Sequence, residues 1–196
     1  MKKKALIVSI KGLRLSSKEK FLLSKEKPWG LILFKRNIKS LKQSQKLVKE
    51  IQKHAGDKKF PILIDEEGVK VSRLKNIFNH GFNANMFGNL YKKDKKIAVM
   101  LYKTYLRSLC KLLNKIGISI NTIPVLDVSR KKTHSIIGER SFSEKTKIIK
   151  HLGKITIKEC RSNNIVSVIK HIPGHGCSSK DSHLILPRVN LDESTL

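Results

Sequence analysis

Apolar runs of strand length recur along the chain, separated by stretches whose apolar positions fall three and four residues apart. ALIVSI (5–10), WGLILF (29–34) and FPILID (60–65) are short and continuously apolar, the pattern of strands buried on both faces. Pro28-Trp29-Gly30 opens the second, and Pro61 fits best at the beginning of the third. Between them, Leu41, Val48 and Ile51 predict a helix over 38–54, with Asn37 or Ser40 able to cap it. A Gly- and Asn-rich stretch, 66–88, reads as a long loop. Ile97, Leu101, Tyr105, Leu109, Leu112 and Ile116 then form one helical stripe, and Gly117 sits where a C-terminal cap belongs. Residues 118–128 read as a strand, 143–162 as a helix capped by Ser141 or Ser143, and 165–171 as a fifth strand. NLDESTL (190–196) reads as the start of a further helix, with Asp192 as its cap.

Alternating strands and helices with continuously apolar strands predict an α/β fold, a parallel sheet covered by helices. In such folds function gathers at the C-terminal ends of the strands. Polar groups fall there: Asp65 after the third strand, Asp127 after the fourth, Lys170-His171 after the fifth. Without internal repeats or a low-complexity linker, the chain is expected to form one domain, 1–196, with too few strand–helix units to close an eight-unit barrel.

Composition adds limits. The 196 residues, 39% of them hydrophobic, suffice for one substantial core. No apolar run approaches the roughly 18–20 residues of a membrane span. The opening MKKKALIVSIKG is too briefly apolar for a secretory signal, so no membrane association and a cytoplasmic location are expected. Cys110, Cys160 and Cys177 are scattered and odd in number, which suits reduced thiols. Lys and Arg number 42 against 15 acids, a formal charge of +27. The lysines are spread along the sequence, without zinc-finger spacing or an aromatic RNA-binding run, and read as solvated faces; no specific nucleic-acid binding is expected.

The densest chemistry lies in KHIPGHGCSSKDSHL (170–184). His171, His175, Cys177 and His183 do not have metal-site spacing, because Pro173 and two glycines forbid the helix on which an i, i+4 His pair would sit. Cys177 has His175 nearby but no evident orienting group or oxyanion hole. Asp181 and His183, two apart, face one side of an extended segment. The carboxylate can then fix the imidazole tautomer while the other nitrogen faces a ligand, or the two can form a merely structural loop pair.

Read together and in order, IDEEGVKVSRL (64–74), PVLDV (124–128), IIGERSF (136–142) and KHIPGHGCSSKDSHL resemble the N-terminal barrel domain of glycoside hydrolase family three. The Gly-His-Gly followed by Asp-x-His is similar to the bacterial β-N-acetylhexosaminidase branch. The resemblance implies an incomplete TIM-type (β/α)8 barrel of about five to six βα units, with its C-terminal part missing. It implies a retaining hydrolase that removes terminal N-acetylglucosamine from peptidoglycan-derived muropeptides, with no cofactor and no metal. On it, His183 is the general acid/base and Asp181 its orienting partner. Asp65, Arg73, Arg140, Lys170 and His171 bind the sugar.

Two positions depart from the family pattern: Gly68-Val69-Lys70 replaces Gly-Gly-Arg, and Cys177 stands where Asp is common. The nucleophilic aspartate, which the family places on a later strand, is not found; Asp192 and Glu193 do not fit that role. A complementing C-terminal fragment is therefore an expected partner. Rival readings are an inactive sugar-binding remnant and, on charge alone, a basic nucleic-acid-binding protein. The Asp-x-His pair disfavours a β-glucosidase.

Overall fold

The computed structural model describes residues 3–131, 133–181 and 183–188. Five strands, β1 (Lys4–Ser9), β2 (Pro28–Leu33), β3 (Ile62–Ile64), β4 (Ile120–Asn121) and β5 (Val166–Ser167), pair in chain order and all in parallel. Leu31 faces Ile62, Leu63 faces Ile120, and Ile120 faces Val166. This is the sequential strand order of a (β/α)8 barrel, so the expected α/β class and partial barrel are observed. The last two ladders are shorter than the apolar runs suggest. Pro124 has no N–H to offer a neighbour, and pairing resumes only at the Val125–Lys170 bridge.

Among the described residues five α-helices cover the sheet: α1 (Ser17–Phe21), α2 (Leu41–Ala55), α3 (Ala84–Lys93), α4 (Lys95–Ile116) and α5 (Thr146–Ser162). Of the two cap candidates for α2, Ser40 is the one that accepts the Gln43 N–H. Asn37 is instead fully buried, and its amide holds the carbonyls of Ile10 and Gly12. Helix α5 starts later than position 143: Ser143 accepts the Lys145 N–H, and Ser141 donates to the Asp127 carbonyl. Helix α1 and the π-helical turn after it, Leu22–Glu26, were not apparent from periodicity.

Part of the expected 66–88 loop is helical, because α3 begins at Ala84 on an Asn83 cap. Helix α4 buries Ala98, Tyr102, Tyr105, Leu106, Leu109, Cys110, Leu113 and Ile116, a face rotated about one residue from the expected stripe. Ile97 and Leu101 are each 45% exposed. Gly117 ends α4 in the left-handed region at φ +98° as expected, close against Val48 of α2.

The core is one cluster running from Leu31, Ile62 and Ile64 of the sheet to Leu106, Leu152 and Cys160 of the helices. Both outer strands are exposed: Leu6 and Ile7 on β1, and Val166 on β5 with Val168 and Ile169 just beyond it. Cys110 and Cys160 are buried free thiols, and Cys177 is half-buried. Among the described residues no helix is long and apolar enough to cross a membrane, and no cluster of His, Cys, Asp or Glu could hold a metal. Asp192, Glu193 and the helix expected over 190–196 lie outside the described residues.

Candidate active site

The ends of β3, β4 and β5 bring the polar groups together. Asp65 follows the last residue of β3, and its Oδ1 accepts from the Thr122 hydroxyl at 2.5 Å. Its Oδ2 accepts from the Arg73 guanidinium at 3.2 Å, and the Lys170 ammonium lies 3.5 Å from Oδ1. Burial works to raise the Asp65 pKa. The Thr122 hydrogen bond and the charges of Lys170 and Arg73 outweigh it and hold the carboxyl below its ordinary value.

Lys170 links the two halves of the cluster. Its ammonium donates to Thr122 Oγ1 at 2.8 Å and pairs with Glu67 Oε1 at 2.5 Å. Glu67 in turn takes a two-pronged contact from Arg140, at 2.6 and 3.0 Å. Arg140 reaches His171 Nε2 at 3.4 Å, and His171 Nδ1 lies 2.5 Å from Asp127 Oδ2. These last contacts are satisfied together when Nδ1 carries the imidazole proton. The fully buried Asp127 side chain also accepts the His175 N–H at 2.5 Å. Its pKa too is lowered: burial opposes ionisation, but the His171 and His175 hydrogen bonds prevail.

All five residues expected to hold a sugar, Asp65, Arg73, Arg140, Lys170 and His171, therefore belong to one network. Three members of it were not assigned from sequence: Glu67, Thr122 and Asp127. Asp127 had a visible signal, its place after the fourth apolar run. Glu67 had only its position two residues beyond Asp65. Arg73 Nε is buried without a partner among the described residues.

Behind Asp65 the backbone is fixed by side chains. The Asn121 amide exchanges two hydrogen bonds with the Glu66 main chain, at 3.0 and 2.9 Å. The buried Glu66 carboxylate accepts the N–H groups of Arg73 and Leu74, at 2.7 and 2.9 Å. The replacement at 68–70 is accommodated: Val69 points largely to solvent, and Lys70 donates to the Ser135 carbonyl.

The loop after β5 carries the dyad. Gly174 has φ +128°, and a side chain on Gly176 would overlap the Val128 backbone, so both glycines serve the tight path read from sequence. His175 Nε2 lies 2.8 Å from the Lys180 carbonyl. Asp181 Oδ1 accepts the His183 N–H at 2.9 Å and lies 2.8 Å from His183 Nδ1. The backbone and side-chain bonds from His183 hold the Asp181 carboxyl below its usual pKa. His183 is 74% exposed, and among the described residues its Nε2 has no partner. Among the described residues the pair makes no hydrogen bond to the Asp65–Lys170–Arg140 network; it sits on the adjoining loop, tied back through His175 and Asp127.

Comparison with known proteins gives the family and the fold. The chain is 34% identical over 181 residues to a β-hexosaminidase A of Pseudoalteromonas piscicida, covering 89% of this chain and 30% of that protein. It is 34% identical over 185 residues to a β-hexosaminidase of Alkalilimnicola ehrlichii, covering 93% and 52%. The structure of NagZ from Neisseria gonorrhoeae in complex with N-trifluoroacetyl-D-glucosamine superposes with a TM-score of 0.84 at 30% identity, over 94% of this chain and 54% of that one. The chain thus spans about half the length, or less, of these relatives. Residues 2–196 match the glycosyl hydrolase family 3 N terminal domain, and the chain belongs to that family.

Proposed function

We propose that this chain is the sugar-binding and proton-transfer part of a retaining β-N-acetylhexosaminidase. In this reading it acts in the cytoplasm on terminal N-acetylglucosamine of peptidoglycan-derived muropeptides. Residues 1–196 form one barrel-type domain, completed by a C-terminal segment. The observation that supports the reading is the convergence of Asp65, Arg73, Lys170, Arg140 and His171 at the strand ends, with the Asp181–His183 pair on the loop that follows β5.

The charges in the network balance, with Asp65, Glu67 and Asp127 against Arg73, Lys170 and Arg140. A balanced array of fixed donors and acceptors suits a neutral, hydroxyl-rich ligand rather than a metal or an anion. Protonated His183 gives its Nε2 proton to the glycosidic oxygen as that bond breaks. In the second step the neutral ring takes a proton from the attacking water. Asp181 holds Nδ1 throughout, so Nε2 is the nitrogen that exchanges. The covalent glycosyl intermediate needs a carboxylate nucleophile, which the family resemblance places on a later strand; in this reading it comes from the completing segment.

Titration calorimetry with N-acetylglucosamine, and turnover of a chromogenic N-acetylglucosaminide after adding a C-terminal segment from a relative, test this. Binding to the chain with turnover only in the complemented sample supports the reading. Binding without turnover in either sample favours a sugar-binding remnant. Loss of preference for N-acetylglucosamine over glucose refutes the assignment.

A further inference from the structure

We propose that the outer face between α1 and α2 binds a single strand of nucleic acid through its phosphates, without regard to base sequence. This goes beyond the glycosidase reading and concerns a different face. Lysines that look dispersed along the sequence are gathered there by the fold. Arg14, Lys20, Lys46, Lys49 and Lys53 line one groove of about 570 Å³, and among the described residues the sole acid lining it is Glu50. Glu50 is taken by Lys20 at 3.0 Å. Among the described residues, the side chains of Arg14, Lys46, Lys49 and Lys53 have no ion pair or hydrogen bond. Uncompensated like charges at such short range raise a strong local positive potential, which a polyanion relieves by releasing its condensed counterions.

The shape selects the polyanion. Lys46, Lys49 and Lys53 follow one face of α2, rising about 4–6 Å from each to the next. That step is comparable to the separation of successive phosphates on an extended strand. A flexible strand can lie between two helices, whereas a planar bilayer cannot enter a concave groove. No aromatic side chain lines the groove, so bases have nothing to stack on and no sequence is read.

The test is fluorescence anisotropy of the full chain with a labelled oligo-dT strand at several salt concentrations. With three or four phosphates neutralised, affinity is expected to fall roughly 20- to 50-fold between 50 and 200 mM salt. The double variant Lys49→Glu, Lys53→Glu is compared with Lys154→Glu, Lys158→Glu, which carries the same charge change at the same helical spacing on exposed positions of α5. The α2 variant should lose about tenfold or more, and the α5 variant should lose little. Thermal melts check that both remain folded, and Lys49→Gln, Lys53→Gln should show a smaller loss of the same kind. Equal losses in the α2 and α5 variants would assign binding to diffuse charge and overturn the proposal. So would no measurable binding, or binding to phosphatidylglycerol vesicles that the oligonucleotide does not displace.

Discussion

Arg140 grips Glu67 through two nitrogens, at 2.6 and 3.0 Å, with side chains only 10% and 5% exposed. Neither residue lies on a strand, so this pair ties the loop after β3 to the loop before α5 across the mouth of the site. Removing Arg140 takes two charge-assisted hydrogen bonds from Glu67 and leaves Lys170 as its cationic partner. Arg140→Ala is therefore expected to destabilise the chain by about 1.5–3 kcal/mol. Arg140→Lys keeps the charge but loses the fork, and should fall between wild type and Arg140→Ala. Urea unfolding of the three proteins measures the order.

Asp65 and Asp127 predict how stability depends on acid. Both have folded-state pKa values below their unfolded ones. In the interval between those values the unfolded chain holds more protons, so stability must rise with pH there. The contribution is complete above the unfolded value, about pH 4, and is lost as pH falls through the folded value. Melting temperature should drop steeply below about pH 4, and Asp65→Asn with Asp127→Asn should flatten that limb while lowering the plateau. An unchanged acid limb in the double variant would contradict the network as drawn.

Much of this was legible in the sequence for physical reasons. Continuously apolar runs mark strands, so β2 and β3, which are largely buried, stand out, and so does β1, though it lies exposed at the sheet edge; Asp65 and Lys170-His171 are marked by following such runs. Where the signal was side-chain capping rather than periodicity, the reading failed. Helix α1 is short and buries none of its own residues, and its mark is the capping box of Ser16 and Glu19. Helix α3 was hidden by Gly88, which looks like a loop residue but lies against the Phe142 backbone with no room for a side chain. The rotated face of α4 has a similar cause. Leu101 lines an apolar surface groove with Phe82 and Met86 rather than the core, and periodicity alone does not separate the two. Glu67 was missed because an acid in a loop has no pattern; its role depends on Lys170 and Arg140, far away in sequence.

Gly176 sets the course of the loop that carries the dyad. A methyl group there would meet the Val128 carbonyl, and that strand end also holds Asp127. Gly176→Ala should cost about 1–3 kcal/mol by overpacking. It should also detach the His175 N–H from Asp127, which now lies at 2.5 Å. Amide hydrogen exchange across 174–181 checks this: faster exchange confined to that loop is expected, whereas uniform acceleration would signal global unfolding instead.

Asp181 and His183 separate binding from chemistry. The His183 side chain is 74% exposed and among the described residues hydrogen-bonds only Asp181, so His183→Ala should leave the melting temperature and N-acetylglucosamine affinity nearly unchanged. In the complemented enzyme the same variant should lose about 10²–10⁴ in kcat, the scale of a general acid/base. Asp181→Asn should lose less, because the imidazole keeps its place but its Nδ1 partner is no longer charged. Asp65→Ala should do the reverse, weakening sugar binding by about 10- to 100-fold through loss of charge-assisted hydrogen bonds. Calorimetry and steady-state kinetics on the three variants read the two effects independently. If His183→Ala weakened sugar binding as much as Asp65→Ala does, the imidazole would be part of the binding surface and not the proton carrier.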